Sequence, residues 1–359
     1  MKLVILGASI SSAARGSDRA AAFRALVREL GRSGHEVLYL ERSPPSRAPR
    51  EVLAPSQHGS IRRYRDLADL KARFAQAVRG ADAVIVCSRL PQGAALGDWV
   101  LETAAGISVF YDLDPTMAAA ARTDLTPSAI RRYRLYLSVA GGPLLRQLER
   151  ELGSPCARTL YRFCDPEQFY PERRQEESWD LGYLGGHCPE RRPRLEALLL
   201  EPARRWRSGR FVIAGAGHPV VGSPSNVSHR KRVPYQARRG FYGSLRYTLC
   251  LAQAAALGAG YAPSVRLFEA AACGAPLIAD DWPGLDALFS PGEEVLLVQR
   301  PEEVLVFLTE VPDTARRAMG ELARRRVLTQ HTAAHRAVEL VEHLESVVAG
   351  QALPLQGLG

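Results

Sequence analysis

What most narrows the fold of this chain is a recurring unit: a short unbroken apolar run, a turn, then apolar residues at helical spacing. Leu3 to Leu6 closes on Gly7, and Arg19 to Leu30 follows with helical periodicity stopped by Gly31 and Gly34. The first pattern fits a strand and the second an amphipathic helix. His35 to Leu40 then reads as a strand, Leu67 to Val78 as a helix and Ala83 to Cys87 as a strand. Ile107 to Tyr111 and Arg134 to Val139 are further strands, and helix Leu144 to Leu152 follows the pair Gly141-Gly142. Strands alternating with helices pair in parallel through right-handed crossovers. Residues 1–164 are therefore expected to form a Rossmann-like α/β domain.

Between Asp165 and Glu177 the composition shifts to Pro, Glu, Arg and Gln, which marks a linker over 165–178. The alternation restarts with Leu181 to Gly186, helix Arg194 to Leu200 and strand Phe211 to Ala214, which ends in Gly215-Ala216-Gly217. Thr248 to Leu251, helix Val265 to Cys273 and strand Pro276 to Ala279 continue it. A second Rossmann-like domain over 179–348 is the economical account, with 215–242 as a long irregular connection. Thr314 to Val348 reads as helical, able to pack back on the first domain, and 349–359 as a frayed tail. Two domains are also what 359 residues predict.

Composition excludes several classes. With 46% hydrophobic and 24% charged residues the chain packs cores. No run of about 18 apolar residues occurs, and the apolar start is too short for a signal peptide, so a cytoplasmic location is expected, with peripheral membrane contact left open. The net charge of +9 comes from arginine interleaved with acids, which reads as a mixed solvated surface. Without an aromatic and basic strip, nucleic acid is not expected as a partner. The six cysteines form no close pair and the eight histidines no cluster, so no metal site is expected.

Chemistry concentrates in Gly260 to Pro276. Ser264 suits a helix N-cap, and Gly274 before Pro276 a stop. The first turn offers free N–H groups at Val265 and Arg266, and the helix dipole adds positive charge, a combination that suits a diphosphate. Arg266 adds a full charge. A capping-box acid would stand at 267, which is Leu267, so Glu269 needs another role. One role is to accept hydrogen bonds from ribose hydroxyls. The other is an i,i+3 salt bridge with Arg266 on a surface helix.

This stretch, with Asp280, Trp282, Gly284, Leu285 and Asp286 after it, resembles the CgeB-like glycosyltransferases. Trp179 to Gly185, Phe110-Tyr111-Asp112, Leu135 to Ser138 and Asp165-Pro166-Glu167 resemble segments of the same family, so the likeness spans nearly the whole chain. The resemblance implies the GT-B architecture, two Rossmann-like domains facing across a cleft. It implies transfer of a sugar from a nucleoside diphosphate sugar to a hydroxyl acceptor, with no cofactor and no metal required. By resemblance, Glu269 binds the ribose and Ser264, Val265 and Arg266 face the diphosphate. The first acid of the family's Glu-x7-Glu motif falls on Tyr261, a departure at the donor-sugar contact. Family members also carry a His in the loop that here reads Ser17-Asp18-Arg19 and polar residues where Cys250, Ala252, Gln253 and Ala255 stand. These departures keep a second reading open, a catalytically weak homologue that serves as a binding or stabilising partner.

Three further sets complete the expected site. Gly185 and Gly186, with Arg191 and Arg192 behind them, follow the first strand of the second domain, where amides and an Arg reach donor phosphates; the alternative is an ordinary strand-helix turn. Gly7, Ser9 and Ser11 lie at the carboxyl end of the first strand, an acceptor-side position. Asp112 and Asp114 end another strand and could deprotonate the acceptor; the alternative is a capped helix start with a proline turn.

Overall fold

The apolar runs of the first half assemble as expected into a parallel sheet. Its strands are β1 (Lys2–Gly7), β2 (Glu36–Arg42), β3 (Ser60–Tyr64), β4 (Ala83–Cys87), β5 (Ile107–Asp112), β6 (Leu135–Ser138) and β7 (Ala157–Thr159). They lie in the order β3-β2-β1-β4-β5-β6-β7. The direction of winding reverses between β1 and β4, where Leu3 to Leu6 run beside Ala83 to Val86. Every residue of β4 is buried, which is why its sequence is unbroken Ala-Val-Ile-Val-Cys rather than alternating. β3, with four half-buried residues of five, is an edge strand whose polar Ser-Ile-Arg-Arg hid it from sequence reading.

The computed structural model describes residues 1–10, 18–43, 59–114, 123–172, 176–252 and 260–350. Two compact units result, Met1–Tyr161 with Ala333–Gly359, and Arg162–Thr332. The stretch read as helical from Thr314 consists of two helices, Asp313–Gln330 and Ala333–Val348. The break is held by Cys164, whose N–H donates to the His331 carbonyl at 3.1 Å. Ala333–Val348 belongs to the first unit, packs on helix Asp18–Arg32, and donates from Arg336 Nε to the Tyr161 carbonyl at 3.2 Å.

In the second unit the strands are β8 (Trp179–Leu184), β9 (Phe211–Ala214), β10 (Val227–Arg230), β11 (Leu245–Cys250), β12 (Leu277–Asp280) and β13 (Leu296–Val298), all parallel. Their order, β10-β9-β8-β11-β12-β13, is the doubly wound pattern, with its reversal between β8 and β11. The core of this unit joins Leu181, Tyr183, Ile213, Tyr247, Leu249 and Ile278 to the helices. The helix expected over Arg194 to Leu200 runs from Arg192 to Arg205, with a wide π turn at Glu196–Leu200. Pro202 has no N–H to give to the previous turn, and the wide turn just before it accommodates that loss. The 215–242 region contains β10 and the helix Arg238–Gly243, so it is irregular only in part.

Candidate functional site

The helix of the expected donor site runs Val265–Ala272. Ser264 caps it in extended conformation, its hydroxyl accepting from the Arg266 N–H at 3.3 Å. Gly274 ends it with φ of +71°, and a Cβ on Gly320 of helix Asp313–Gln330 would stand 2.3 Å from the Gly274 carbonyl. Two helices thus meet backbone to backbone there, which fixes where the 265–272 turn points. Ala270 to Ala272 are fully buried, as small residues on a close-packed face.

Glu269 is 1% exposed, and three donor groups make four contacts with its carboxylate. Arg266 Nη1 reaches both oxygens, Oε2 at 3.0 Å and Oε1 at 3.2 Å. Arg238 Nη1 donates to Oε1 at 3.2 Å and the Tyr242 hydroxyl to Oε2 at 2.9 Å. A carboxylate offers about four lone-pair sites, so the group is saturated. The i,i+3 pair considered from sequence therefore exists, but it is buried. Burial and the adjacent Glu269 charge push the Tyr242 hydroxyl well above its usual pKa, which keeps it a neutral donor. Sequence reading missed Arg238 and Tyr242, because only the fold brings residues some thirty positions upstream against the helix. Tyr261 is half-buried against the 284 turn, where a Cβ on Gly284 would meet its ring at 2.5 Å.

The two glycine turns at the ends of β8 and β9 are packed on each other. A Cβ on Gly215, φ +150°, would lie 1.9 Å from the Gly185 carbonyl, so Gly215 is demanded by this approach. Gly185 N–H donates to Ala214 O at 2.9 Å, His187 N–H to Ala216 O at 2.8 Å, and His218 Nε2 sits 2.8 Å from the Gly185 carbonyl. Burial holds His218 below the ordinary histidine range. Gly186 and Arg191 border a cavity of about 440 Å³ whose wall includes Tyr183, His187, His218 and His229. Asp280, at the end of β12, accepts from the Ala252 N–H at 2.9 Å, and burial raises its carboxyl above the usual range. Burial likewise pushes the Cys250 and Cys273 thiols up, so neither is a ready nucleophile.

In the first unit the turn after β1 is clamped rather than open. Ile10 N–H and the Ser9 hydroxyl donate to Glu41 Oε2 at 2.7 and 3.3 Å, and Arg63 Nε donates to Oε1 at 2.8 Å. A Cβ on Gly7 would collide with the Tyr39 hydroxyl at 2.0 Å. Glu41, fully buried, went unread although it ends the second strand of a Rossmann-like order, where an acid recurrently sits. Ser11 lies outside the described residues, as do Ser17, Gln253 and Ala255. Asp112 is 2% exposed, with Oδ2 accepting from the Tyr136 hydroxyl at 2.7 Å and Oδ1 from the Asp114 N–H at 3.1 Å. That burial puts Asp112 in a structural position. Asp114 is more open and pairs with Arg89. Among the described residues no three or more His, Cys, Asp or Glu are placed to hold a metal, and no helix is long and apolar enough to cross a membrane.

Residues 191–342 match the family described as "Glycosyl transferase-like". No curated protein sequence matches the chain. Among solved structures, sucrose-phosphate synthase from Thermosynechococcus elongatus is similar with a TM-score of 0.68 and 14% identity over 98% of this chain and 100% of that one. Anabaena HepE, solved with UDP and glucose, gives 0.66 and 11% over 96% and 100%. The α,α-trehalose 6-phosphate synthase of Burkholderia multivorans gives 0.64 and 9% over 97% and 99%. Residues 191–342 thus resemble the glycosyl transferase-like family, and the chain shares the two-sheet fold of the GT-B glycosyltransferases.

Proposed function

We propose that the chain is a glycosyltransferase that moves a sugar from a nucleoside diphosphate sugar, with UDP-sugars as the first candidates, to a hydroxyl acceptor. The observation that carries this reading is the Arg266–Glu269 pair at the capped start of helix Val265–Ala272. Arg266 is the more exposed of the two arginines on Glu269, its side chain 19% accessible against 9% for Arg238. A diphosphate arriving at the helix start competes for Arg266, since Arg binds phosphate in a two-pronged, charge-assisted geometry. Once Arg266 turns to the phosphates, Glu269 regains acceptor sites for the ribose hydroxyls, while Arg238 and Tyr242 hold it in place. The Gly186 amide completes the anion site, the Gly185 N–H being taken by the Ala214 carbonyl. Charge placed in advance on the leaving diphosphate supplies rate, and in this reading Arg266 and the helix dipole serve without a metal. The solved complex of HepE with UDP-glucose is consistent with a donor of this class. The acceptor side falls to the first unit, with Asp114, the more open of the two aspartates, as the base, and no cofactor is needed.

One observation favours a second reading. Asp112 is buried and engaged, and Tyr261 stands where the first motif acid is expected, which fits a chain that binds donor without turning it over. Thermal shift with UDP, GDP and their sugars tests donor binding, since a ligand at a hundred times its Kd stabilises by about 2.7 kcal/mol. Absence of any response would refute the donor site. Donor binding with no sugar transfer or hydrolysis would establish the second reading.

A further inference from the structure

A residue with a side chain avoids the left-handed backbone region, and where one is held there the strain gathers at sites that do chemistry. Among the described residues two non-glycine residues adopt it, Arg89 at φ +65° and Gln92 at φ +58°, on either side of Leu90-Pro91. Both lie in the turn that leads from β4 into the helix Gly93–Thr103. The turn leaves the carboxyl end of β4, beside β1, where the winding reverses and doubly wound sheets open their ligand crevice. Arg89 N–H donates to Asp124 Oδ2 at 2.5 Å, and its Nη1 donates to Asp114 Oδ2. Neighbouring backbone fixes the turn on both sides. Ser88 N–H donates to the Tyr111 carbonyl at 2.9 Å, the Leu113 N–H donates to Ser88 Oγ at 3.0 Å, and a Cβ on Gly93 would stand 2.7 Å from the Cβ of Asp124.

Stability does not account for this arrangement. The Arg89 side chain is 50% exposed and that of Asp114 25%, and an ion pair so open to water contributes less than left-handed backbone costs. A glycine at 89 would take the same backbone without strain. What the arginine adds is a guanidinium aimed at one carboxylate. Asp114 is held at both ends, its N–H donating to Asp112 Oδ1 at 3.1 Å and its side chain pairing with Arg89. We propose that Arg89 is a positioning residue for sugar transfer, the strained turn fixing its guanidinium so that Asp114 keeps the orientation from which it takes a proton. This rests on the reading of Asp114 as the base. In the step it serves, the acceptor oxygen bonds to the anomeric carbon while the bond from that carbon to the diphosphate oxygen breaks. The bonding electrons leave with the nucleoside diphosphate, and the hydroxyl proton passes to Asp114. Arg89 touches none of the reacting atoms and acts through Asp114, as a fixed orientation lowers the barrier without new chemistry.

Hydrolysis of UDP-glucose and of GDP-glucose by the full chain, with water as the acceptor, tests this beside urea unfolding. Arg89→Gly should lower kcat at least about tenfold with the donor KM within about twofold of wild type. Its urea midpoint should equal or exceed that of wild type, because glycine relieves the strain. Arg89→Lys keeps a cation on the same backbone and should recover most of kcat. Added to Asp114→Asn, Arg89→Gly should slow the reaction no further, as expected of two residues that act as a unit. Unchanged kcat in Arg89→Gly, a loss that Arg89→Lys does not recover, a lowered urea midpoint in Arg89→Gly, or additive losses in the double variant would each overturn the positioning role. Any of these in a wild-type background that hydrolyses a donor sinks this inference alone. A wild type that binds UDP and hydrolyses neither donor sinks the transfer reading and the inference with it.

Discussion

Arg266 and Glu269 stand one helical turn apart with Nη1 within 3.2 Å of both carboxylate oxygens, so the two residues expected to grip a donor grip each other. Donor binding is then an exchange of partners, and its free energy is reduced by whatever this ion pair contributes. Arg266→Lys keeps the charge but loses the forked contact to both oxygens. It should weaken UDP binding by about tenfold or more, in titration calorimetry, with little loss of stability. Tighter UDP binding in this variant would mean that the pair opposes the donor more than Arg266 assists it.

Glu269→Gln should cost stability as well as donor binding. It leaves Arg238, buried beside Tyr235 and Tyr242, facing a neutral amide. Removing one partner of a buried pair costs about 3–5 kcal/mol, readable as a lower urea midpoint. Tyr242→Phe, which deletes one hydrogen bond to a charged group, should cost about 1.5–3 kcal/mol. The double variant should lose less than the sum, because both act on one carboxylate.

Ser264→Ala removes the cap that satisfies the Arg266 N–H. A loss of about 1 kcal/mol is expected in urea unfolding, with Ser264→Asp close to wild type. A short helix depends on its cap, so the UDP response should weaken in step with the first substitution and not the second.

Asp112→Asn and Asp114→Asn should separate structure from chemistry. The first disturbs the buried acceptor of Tyr136 and should lower the melting temperature. The second leaves the fold intact and, if Asp114 is the base, lowers kcat with little change in KM. Equal kcat in Asp114→Asn and wild type would remove Asp114 from the reaction.

His218 makes stability depend on pH. Its folded-state pKa lies below the ordinary 6.5 of a histidine, first because of burial. The unfolded chain therefore takes up the proton first, so this histidine's effect is absent well above 6.5, and stability falls as the pH drops from 6.5 through the folded-state value. His218→Asn should flatten that part of a urea midpoint against pH curve.

Sequence reading found the sheets because strands buried on both faces write themselves as unbroken apolar runs, as in Ala83 to Cys87. It found Ser264 and Gly274 because caps and stops are local chemistry. β3 and β10 escaped it, being edge strands with polar sequences such as Val-Ser-His-Arg. At the site, local spacing offered Glu269 two roles, and the partners that decide between them, Arg238 and Tyr242, are non-local. Glu41 escaped for the same reason, since the residues it clamps lie in the turn after β1 and on β3.

The first unit is completed by the helix Ala333–Val348, made after the whole second unit. On the ribosome, residues 1–161 emerge long before the helix that covers Asp18–Arg32, so their buried face stays uncovered while the 162–332 unit is synthesised. Halving the gene at residue 161 would therefore yield an amino-terminal piece prone to aggregate, whereas supplying residues 333–350 as a separate peptide should rescue its solubility.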